Sequence, residues 1–572
     1  MNVMASLRYG IISACLLSLL AACGPGTEQA DVAFVNAKAW TSNDQAPWAE
    51  TVLVKDNSIL YVGAAAGAEP YIGPATRRID LAGKLLLPGF IDTHVHPIAG
   101  GAYANALALD TFGTVDEWVQ AIADYALENT DQAIIFGYGF LATTFGPTGP
   151  TRQLIDAVVP DKPVLIMDEG FHAAWANSAA LQQLHISQDT IDPVPGYSYY
   201  KRDENGDASG YLLEGTANMA MDQLNVITED VVMQGTAKII DIMNRYGVTA
   251  AFDAGTSGDR ELVQKVLTGL ERDNELSMRI VGSSRPEAAE QAKTAVATAA
   301  EWGRTVHGKY YHYNTLKIPA DGTVEGRTAA MFEDYQGEPG NSGETVFSEQ
   351  QLTEMVTGAA ALDMDVHIHA IGERTVHEAL DAIEAARQAV PGTGSRFTIC
   401  HIEVVTDQDV PRFAELDVIA QSTPLWASYD TYGEQFVSED QFNRYWRFKS
   451  IKDAGARLTF GSDFPASGAG TLGLSPVVQI EIGHTRQEPG QPDAKIQPRK
   501  SERLSVEALV RGFTLDAAYQ LRLEDEIGSI ETGKKADLIV LDRNIFDIDP
   551  YSIHETRVLL TMMDGKVVHE AL

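Results

Sequence analysis

Residues 85–96 read Leu-Leu-Leu-Pro-Gly-Phe-Ile-Asp-Thr-His-Val-His, and this stretch decides how the rest of the chain is interpreted. The apolar run predicts a buried strand, and side chains on a strand alternate between its two faces, so His94 and His96 point the same way. Two imidazoles at the end of one buried strand are typical of a divalent-metal site, whereas the same pair in a loop would be a chance occurrence. The other strands decide between these alternatives.

The composition indicates a large folded protein. The chain has 572 residues, of which 45% are hydrophobic and 21% are charged, so one large domain with smaller attachments is expected. The net charge of -36 and the pI near 4.6 argue against binding to nucleic acid and against docking of the protein body on anionic lipid. Three cysteines are present, and two of them lie in the first 23 residues, so no intrachain disulfide is expected for Cys400.

The N-terminus has the pattern of an export signal. Residues 1–22 carry a positive charge, then a short apolar segment, and end in Leu-Ala-Ala before Cys23. This run resembles the bacterial lipoprotein signal, which implies that Cys23 is lipid-modified and that residues 23–30 form a linker. Gly24 after the cysteine suggests an outer-membrane lipoprotein that faces the periplasm and contacts the membrane only through its lipid. The alternative is an ordinary secretory peptide that is cleaved to give a soluble exported protein.

Two strand-rich segments enclose a long alternating region. Residues 31–84 and 525–572 show the alternation of β-strands, with a hairpin predicted at Asp564-Gly565, and we expect them to form one small composite β-sandwich. Between them, in residues 85–524, strands alternate with helices, which predicts a (β/α)₈ TIM barrel, and residues 105–232 are predicted to be an insertion over its mouth. The predicted barrel strands are Leu85–His96, Val248–Asp253, Met278–Gly282, Thr315–Ala320, Asp365–His369, Phe397–His401, Val418–Ser422 and Leu458–Asp463.

Four more chemistry-bearing residues fall at or near the ends of later strands: Lys317, His369, His401 and Asp463. Each has an ordinary structural explanation, such as a histidine bonded to a carbonyl, a lysine paired with a carboxylate, or an aspartate that caps a helix. Because active sites of barrels lie at the carboxyl ends of the strands, residues from several different strands are expected to meet. Nitrogen and oxygen ligands of this kind suit Zn²⁺ and related ions.

These motifs resemble those of a known family. The similarity is to the amidohydrolase superfamily and, more narrowly, to its YtcJ-like (amidohydrolase-3) branch, and it covers nearly all of the mature chain. A C-terminal signature, Gly528-Ser-Ile-Glu-Thr-Gly-Lys534, agrees with this. The motifs that carry the resemblance are Pro88 to His96, His369-Ala-Ile-Gly372, His401-Ile-Glu403 and Gly461-Ser-Asp-Phe-Pro465.

The resemblance implies a ligand set and a cofactor. Lys317 takes the position of an N-carboxylated lysine that bridges two metals; if it is unmodified, a mononuclear site is expected instead. A desolvated strand end favours the neutral amine that carboxylation requires. The implied cofactor is therefore one or two divalent metal ions per chain, with zinc the expected ion. The implied metal ligands are His94, His96, Lys317, His369, His401 and Asp463.

Some positions are left open by the sequence. His367 lies on the same strand face as His369 and is its rival as a ligand, and only the downstream Ala-Ile-Gly match selects His369. Glu373 stands where the family commonly has aspartate, and it is interpreted as a cap of the following helix. The predicted substrate contacts are His172, Trp426 and Arg444.

The predicted activity follows from this ligand set. A metal-activated water attacks a non-peptide C–N bond of a small amide-like substrate, and Asp463 acts first as base and then as acid. The same site would serve a lactone, ester or cyclic amidine hydrolase. A catalytically inactive, ligand-binding surface lipoprotein is the remaining alternative, but such a protein has no reason to keep the whole ligand set.

Overall fold

An eight-stranded parallel sheet is the largest element of the computed structural model, and its strands lie side by side in chain order. Polar residues follow the carboxyl ends of these strands, as the barrel prediction requires, so the TIM-barrel fold is confirmed. The strands are Phe90–Val95, Val248–Asp253, Arg279–Ser284, Tyr311–Pro319, Asp365–Ala370, Phe397–His401, Val418–Ser422 and Leu458–Phe460. The structure describes residues 28–110, 113–171, 173–193, 198–255, 260–286, 288–431, 433–466 and 469–572.

The segment that follows the last strand closes the barrel through backbone hydrogen bonds to the end of the first strand. The N–H of Asp463 donates to the carbonyl of His94 at 2.7 Å, and the N–H of His96 donates to the carbonyl of Phe464 at 2.9 Å. Gly461 permits this approach, because a Cβ there would lie 2.4 Å from the backbone nitrogen of His94. Closure therefore brings the two ends that carry His94, His96 and Asp463 into direct contact.

Helices cover the outside of the barrel, and several of them have side-chain N-caps. The helix Glu349–Ala360 has the predicted capping box, in which Ser348 and Gln351 bond each other's backbone N–H groups. Among the described residues, no helix is both long and apolar enough to cross a bilayer. The α-helices that follow the insertion begin with the one that precedes the second barrel strand. They are Glu229–Arg245, Arg260–Arg272, Ala292–Thr305, Glu349–Ala360, Glu373–Ala389, Val410–Glu415, Gly433–Phe436, Glu439–Phe442, Phe448–Asp453, Pro476–Thr485, Val506–Gly512 and Leu515–Gln520.

The inserted region leaves the barrel after its first strand, at the end where the polar residues meet. It forms a six-stranded mixed sheet with helices of its own, as the insertion prediction proposed. The helix Glu229–Arg245, which begins just before the predicted end of the insertion, belongs to the barrel, because its Ile239 and Met243 lie in the barrel core. The insertion strands in sheet order are Tyr200–Arg202, Ala208–Leu213, Ala173–Ala176, Val164–Asp168, Ile135–Phe140 and Leu107–Ala108, and its helices are Val115–Glu128, Arg152–Asp156, Ser178–Gln183 and Gly215–Leu224.

The two chain ends together form a β-sandwich. Phe34 and Val52 of one sheet share a buried core with Leu86, Val540 and Leu560 of the other. In sheet order, the four-stranded sheet has Ser58–Gly63, Thr51–Lys55, Val32–Val35 and Arg77–Asp80, and the six-stranded sheet has Lys566–Glu570, Val558–Met563, Leu538–Leu541, Leu85–Pro88, Lys38–Trp40 and Trp48–Ala49.

The stretch 85–96 contributes to two sheets rather than to one strand. Leu85–Pro88 pairs with Leu538–Leu541 in the sandwich, whereas Phe90–Val95 is the first barrel strand. Gly89 lies at the division and packs against barrel strand two, where a Cβ would lie 2.2 Å from Oγ1 of Thr249. Both halves are buried strands separated by a single residue, so the sequence was interpreted as one strand.

Candidate active site

Three predicted ligands converge where the barrel closes. The Nε2 atoms of His94 and His96 lie 3.3 Å and 3.2 Å from Oδ1 of Asp463. His94 is 1% exposed, so water does not screen this group from the protein around it. One ligand atom from each of the three residues lies within 4.8 Å of the others, which is the arrangement that a shared cation requires.

The other nitrogen of each imidazole is oriented by a neighbour. Nδ1 of His96 lies 3.0 Å from the carbonyl oxygen of Gly255, to which only a protonated Nδ1 can donate. Nδ1 of His94 lies 3.3 Å from Oε1 of Gln421 and 3.1 Å from Nε2 of His367. These contacts favour tautomers whose Nε2 carries a free lone pair directed at Asp463. Burial, followed by the charge of Lys317, holds the pKa of His94 well below its usual value, so its imidazole is neutral, as metal ligation requires.

Lys317 is buried beside this group, with 3% of its surface exposed. Its Nζ lies 3.5 Å from Nε2 of His94 and 3.2 Å from Sγ of Cys400. Burial lowers the pKa of Lys317, which favours the neutral amine. Cys400 was not predicted as a neighbour of the site; burial raises the pKa of its thiol to about 12, so the thiol stays protonated.

His369 and His401 form the other side of the candidate site, with ring centroids 4.4 Å apart. Nε2 of His369 lies 3.2 Å from the carbonyl oxygen of Gly322, which leaves its Nδ1 as the atom able to bind a ligand. Nδ1 of His401 lies 3.9 Å from Oδ2 of Asp463, and this buried atom has no hydrogen-bond partner among the described residues. A buried, unsatisfied nitrogen that faces a carboxylate fits a metal ligand.

The strand ends that carry these residues have strained backbones. His401, Ile402 and Asp463 have φ values of 73°, 53° and 51°, in the left-handed region that side chains other than glycine rarely adopt. Such conformations are concentrated at functional sites, where the surrounding structure holds them. Here they turn the chain at the barrel mouth immediately after two ligand-bearing strands.

The predicted substrate contacts fall in different places. The ring of Trp426 lies 5.7 Å from that of His401, at the mouth of the site. Arg444 instead pairs with Glu373 at 2.8 Å and with Asp440 at 3.3 Å, so its described ion pairs do not join it to the histidines. His172 lies outside the described residues, and its role stays a prediction.

Glu373 does not cap its helix, contrary to the interpretation from sequence. The N-cap residue is Gly372, and the carboxylate of Glu373 is buried against Arg444 and the amide of Gln441. The pairing is a tertiary contact between segments about 70 residues apart, which no local pattern reveals.

Two supporting carboxylates were missed. Asp321 accepts hydrogen bonds from the N–H groups of Ala330, Ile371 and Gly372, and thereby fixes the loop that follows His369. Asp92 accepts from the N–H groups of His94 and Ser462 across the barrel seam. Burial raises the pKa of Asp92 to about 7 and that of Asp321 to about 6. The available signal was the position of each residue, since Asp92 lies within the first motif and Asp321 directly follows a barrel strand.

A parallel barrel with a histidine and aspartate cluster at its carboxyl end, joined to a β-sandwich built from both chain ends, defines a metal-dependent hydrolase of the amidohydrolase type. A model of the amidohydrolase family (the amidohydrolase-3 group) matches residues 77–569 of this sequence. The chain therefore belongs to the amidohydrolase family and is an enzyme, as the motifs predicted.

Known relatives span almost the whole chain. The putative amidohydrolase YtcJ of Bacillus subtilis is 27% identical over 93% of this chain and 98% of its own length. The N-substituted formamide deformylase of Arthrobacter pascens is 25% identical over 95% of this chain and 99% of its own length. The crystal structure of an uncharacterized metal-dependent hydrolase from Pyrococcus furiosus is similar, with a TM-score of 0.70 and 25% identity, over 90% of this chain and all of that one.

Proposed function

We propose that this enzyme hydrolyses a C–N bond, other than a peptide bond, in a small amide-like molecule. The observation that carries the proposal is the convergence of His94 Nε2, His96 Nε2 and Asp463 Oδ1 at the carboxyl end of the barrel. A carboxylate among neutral imidazoles suits both metal ligation and proton transfer. The similarity to an N-substituted formamide deformylase supports an amide-like substrate.

The described residues fit a divalent metal, and zinc is the ion that this donor set suits best. His94, His96 and Asp463 would hold one ion, with His401 supplying its unsatisfied Nδ1 and His369 its free Nδ1 to the same ion or to a second one. A carboxylated Lys317 would join the two ions. When bound, such an ion acts as a Lewis acid towards the substrate oxygen and lowers the pKa of water at the site.

Asp463 has the central role among the protein groups. Its carboxylate takes a proton from the attacking water and then returns that proton to the departing nitrogen, since an amide nitrogen leaves only after protonation. The Nε2 atoms of His94 and His96 lie 3.3 Å and 3.2 Å from Oδ1, close enough for one cation to be shared with it, while Oδ2 faces His401. The ring of Trp426 lies beside that of His401 and offers an apolar surface to the substrate.

Metal analysis together with a substrate panel tests this proposal. Purified enzyme is expected to contain zinc, and to hydrolyse N-substituted formamides or other N-acyl compounds faster than lactones and esters of matched shape. Two ions per chain would support a carboxylated Lys317, whereas one ion would support the mononuclear site. Removal of the metal with a chelator should abolish turnover, and added zinc should restore it. Preferred turnover of the lactones or esters, or full activity after metal removal, would contradict the proposal.

We also propose that the enzyme is anchored in the cell envelope through a lipid on Cys23. The support is the run Leu-Ala-Ala before this cysteine, which lies outside the described residues. Changing Cys23→Ala is expected to move the protein out of the membrane fraction, because the acyl chains supply the attachment. Membrane fractionation with an immunoblot measures this, and Cys400→Ala is the control, since that thiol is buried in the barrel. A wild-type protein recovered entirely in the soluble fraction would instead support a cleaved secretory peptide.

A further inference from the structure

Three carboxylates that the proposed reaction does not use meet at the barrel mouth. They belong to Glu325, Glu403 and Asp430, and one oxygen of each lies within 4.8 Å of the others. Glu403 is 4% exposed, Asp430 is partly exposed and Glu325 is exposed, so the cluster leads from the protein interior to solvent. Glu403 also follows His401 by two residues, which limits the distance between their Cα atoms to about 7 Å.

The carboxylate of Glu403 points to a missing ligand. Its Oε1 is buried and has no hydrogen bond of normal geometry to a described residue, although the hydroxyl of Tyr445 lies close to the carboxylate. Its backbone is fixed, because the carbonyl accepts from the N–H of Trp446 at 3.0 Å. A buried carboxylate oxygen without a donor is costly, so a ligand with N–H groups or a positive charge would relieve it.

Asp430 is held in position by the loop around it. Its N–H donates to Oε1 of Gln497 at 2.9 Å, and its Oδ1 accepts from the N–H of Gly433 at 2.9 Å. Gly433 leaves room for this carboxylate, because a Cβ there would lie 2.2 Å from Oδ2 of Asp430. Two of the three carboxylates, those of Glu403 and Asp430, are therefore positioned by hydrogen bonds of their backbone or side chain.

Aromatic rings connect the cluster with the metal ligands. Trp426 lies 5.7 Å from His401 and 6.0 Å from Trp446, whose ring is 6.3 Å from that of Tyr445. Burial, and then the charge of Glu403, raises the pKa of Tyr445 well above its usual value, so this hydroxyl lies near the carboxylates. These three rings, here called the aromatic wall, follow one another from His401 to Tyr445, and aromatic faces attract organic cations.

The inserted region adds a further acidic group. Glu169, which follows the insertion strand Val164–Asp168, is close enough to act electrostatically on Glu325. The charges of Asp430 and Glu169 both act on the carboxyl group of Glu325. The potential at the barrel mouth therefore favours a cation that enters from solvent.

We propose that Glu325, Glu403 and Asp430 bind a protonated amino group of the substrate, so that the preferred substrate is an N-acylated amine with a second, cationic nitrogen. An ammonium group has three N–H donors that point in tetrahedral directions. Three acceptor oxygens, each about 2.8 Å from its nitrogen, are then about 4.6 Å from one another. This separation agrees with that of the three carboxylate oxygens, which lie within 4.8 Å of one another. The aromatic wall would hold the carbon chain between the cation and the scissile bond. This inference rests on the proposed C–N hydrolysis and adds the substrate class.

Two compounds that differ only in charge test the inference. N-formyl-1,4-diaminobutane carries an ammonium group where N-formylpentylamine carries a methyl group, and both have the same scissile bond. In metal-loaded wild-type enzyme, kcat/KM is expected to be at least about tenfold higher for the cationic compound. In Glu325→Gln and in Asp430→Asn, the ratio of the two kcat/KM values should fall by about tenfold or more. Glu344→Gln, at an exposed carboxylate on a neighbouring loop, is the matched control and should keep the wild-type ratio.

The outcomes separate this inference from the proposed reaction. Equal kcat/KM values for the two compounds in wild-type enzyme, or a ratio that neither variant changes, would overturn the cation site while leaving C–N hydrolysis intact. If neither compound is hydrolysed, the proposed hydrolysis of formamides is contradicted. Isothermal titration calorimetry with the same two compounds then tests the cation site through their binding affinities alone, and equal affinities would overturn it. Binding of CaCl₂ that Glu325→Gln abolishes, without a charge preference between the compounds, would identify a divalent-cation site instead.

Discussion

Replacing Asp463→Asn is expected to lower kcat/KM by about 10³-fold, because the amide cannot take a proton from water and return it to the leaving nitrogen. The side chain keeps its shape and its backbone bond to His94, so the barrel should stay folded. The measurement is steady-state turnover of the best compound in the panel, with metal content determined on the same preparation. Retention of metal with loss of turnover would separate the proton-transfer role from metal binding.

The matched control is Asp381→Asn, which removes a carboxylate from the exposed face of helix Glu373–Ala389. This variant should keep wild-type turnover, since its carboxylate pairs with Arg412 on the barrel exterior. An Asp463→Asn enzyme that contains metal and turns over at a rate close to wild type would eliminate the proposed role of Asp463.

Replacing Arg279→Ala is expected to lower the free energy of unfolding by about 3–5 kcal/mol, because it leaves a buried carboxylate without its partner. The guanidinium of Arg279, on the third barrel strand, lies 3.0 Å from Asp537 and 3.3 Å from Asp564, which both belong to the sandwich. Asp537 is 3% exposed, so water cannot replace the lost donor. Urea denaturation of the metal-loaded protein measures the change.

Arg245→Ala is the control for this prediction, since Arg245 forms an exposed pair with Asp241 within one helix. Its loss should change the unfolding free energy by less than about 1 kcal/mol. If both variants behave alike, the ion pairs of Arg279 do not stabilise the junction between barrel and sandwich. Activity of the folded Arg279→Ala protein should persist, as this group lies at the opposite end of the barrel from the candidate site.

Much of the fold could be predicted because its signals are local. The strands Val248–Asp253, Phe397–His401 and Val418–Ser422 have the predicted bounds, since each is a short apolar run between turn signals. The hairpin at Asp564-Gly565 also appears, between the strands Val558–Met563 and Lys566–Glu570. The stretch 85–96 was harder, because Leu85–Pro88 and Phe90–Val95 are both fully buried although they join different sheets.

The candidate site, like the fold, was only partly predictable from the sequence. His94, His96 and Asp463 could be predicted as ligands from the sequence, because each lies in a short motif of consecutive residues. The choice of His369 over His367 as a ligand stays a prediction, since His367 lies against Nδ1 of His94 and could join a metal site with His94 and Cys400, while His369 lies beside His401. The partners of Arg444 and Glu373 likewise appear only when distant loops are brought together.

By itself, the sequence determined the order of strands and helices, the barrel class and the residues that could ligate a metal. These follow from hydrophobic periodicity and from residue types at strand ends, which depend on a few neighbouring positions. The tertiary structure alone decided that one carboxylate oxygen of Asp463 faces two imidazoles, that Lys317 lies against Cys400, and that Glu325, Glu403 and Asp430 share one cluster. Such contacts join residues far apart in the chain, so they depend on barrel closure and loop packing, which no local pattern specifies.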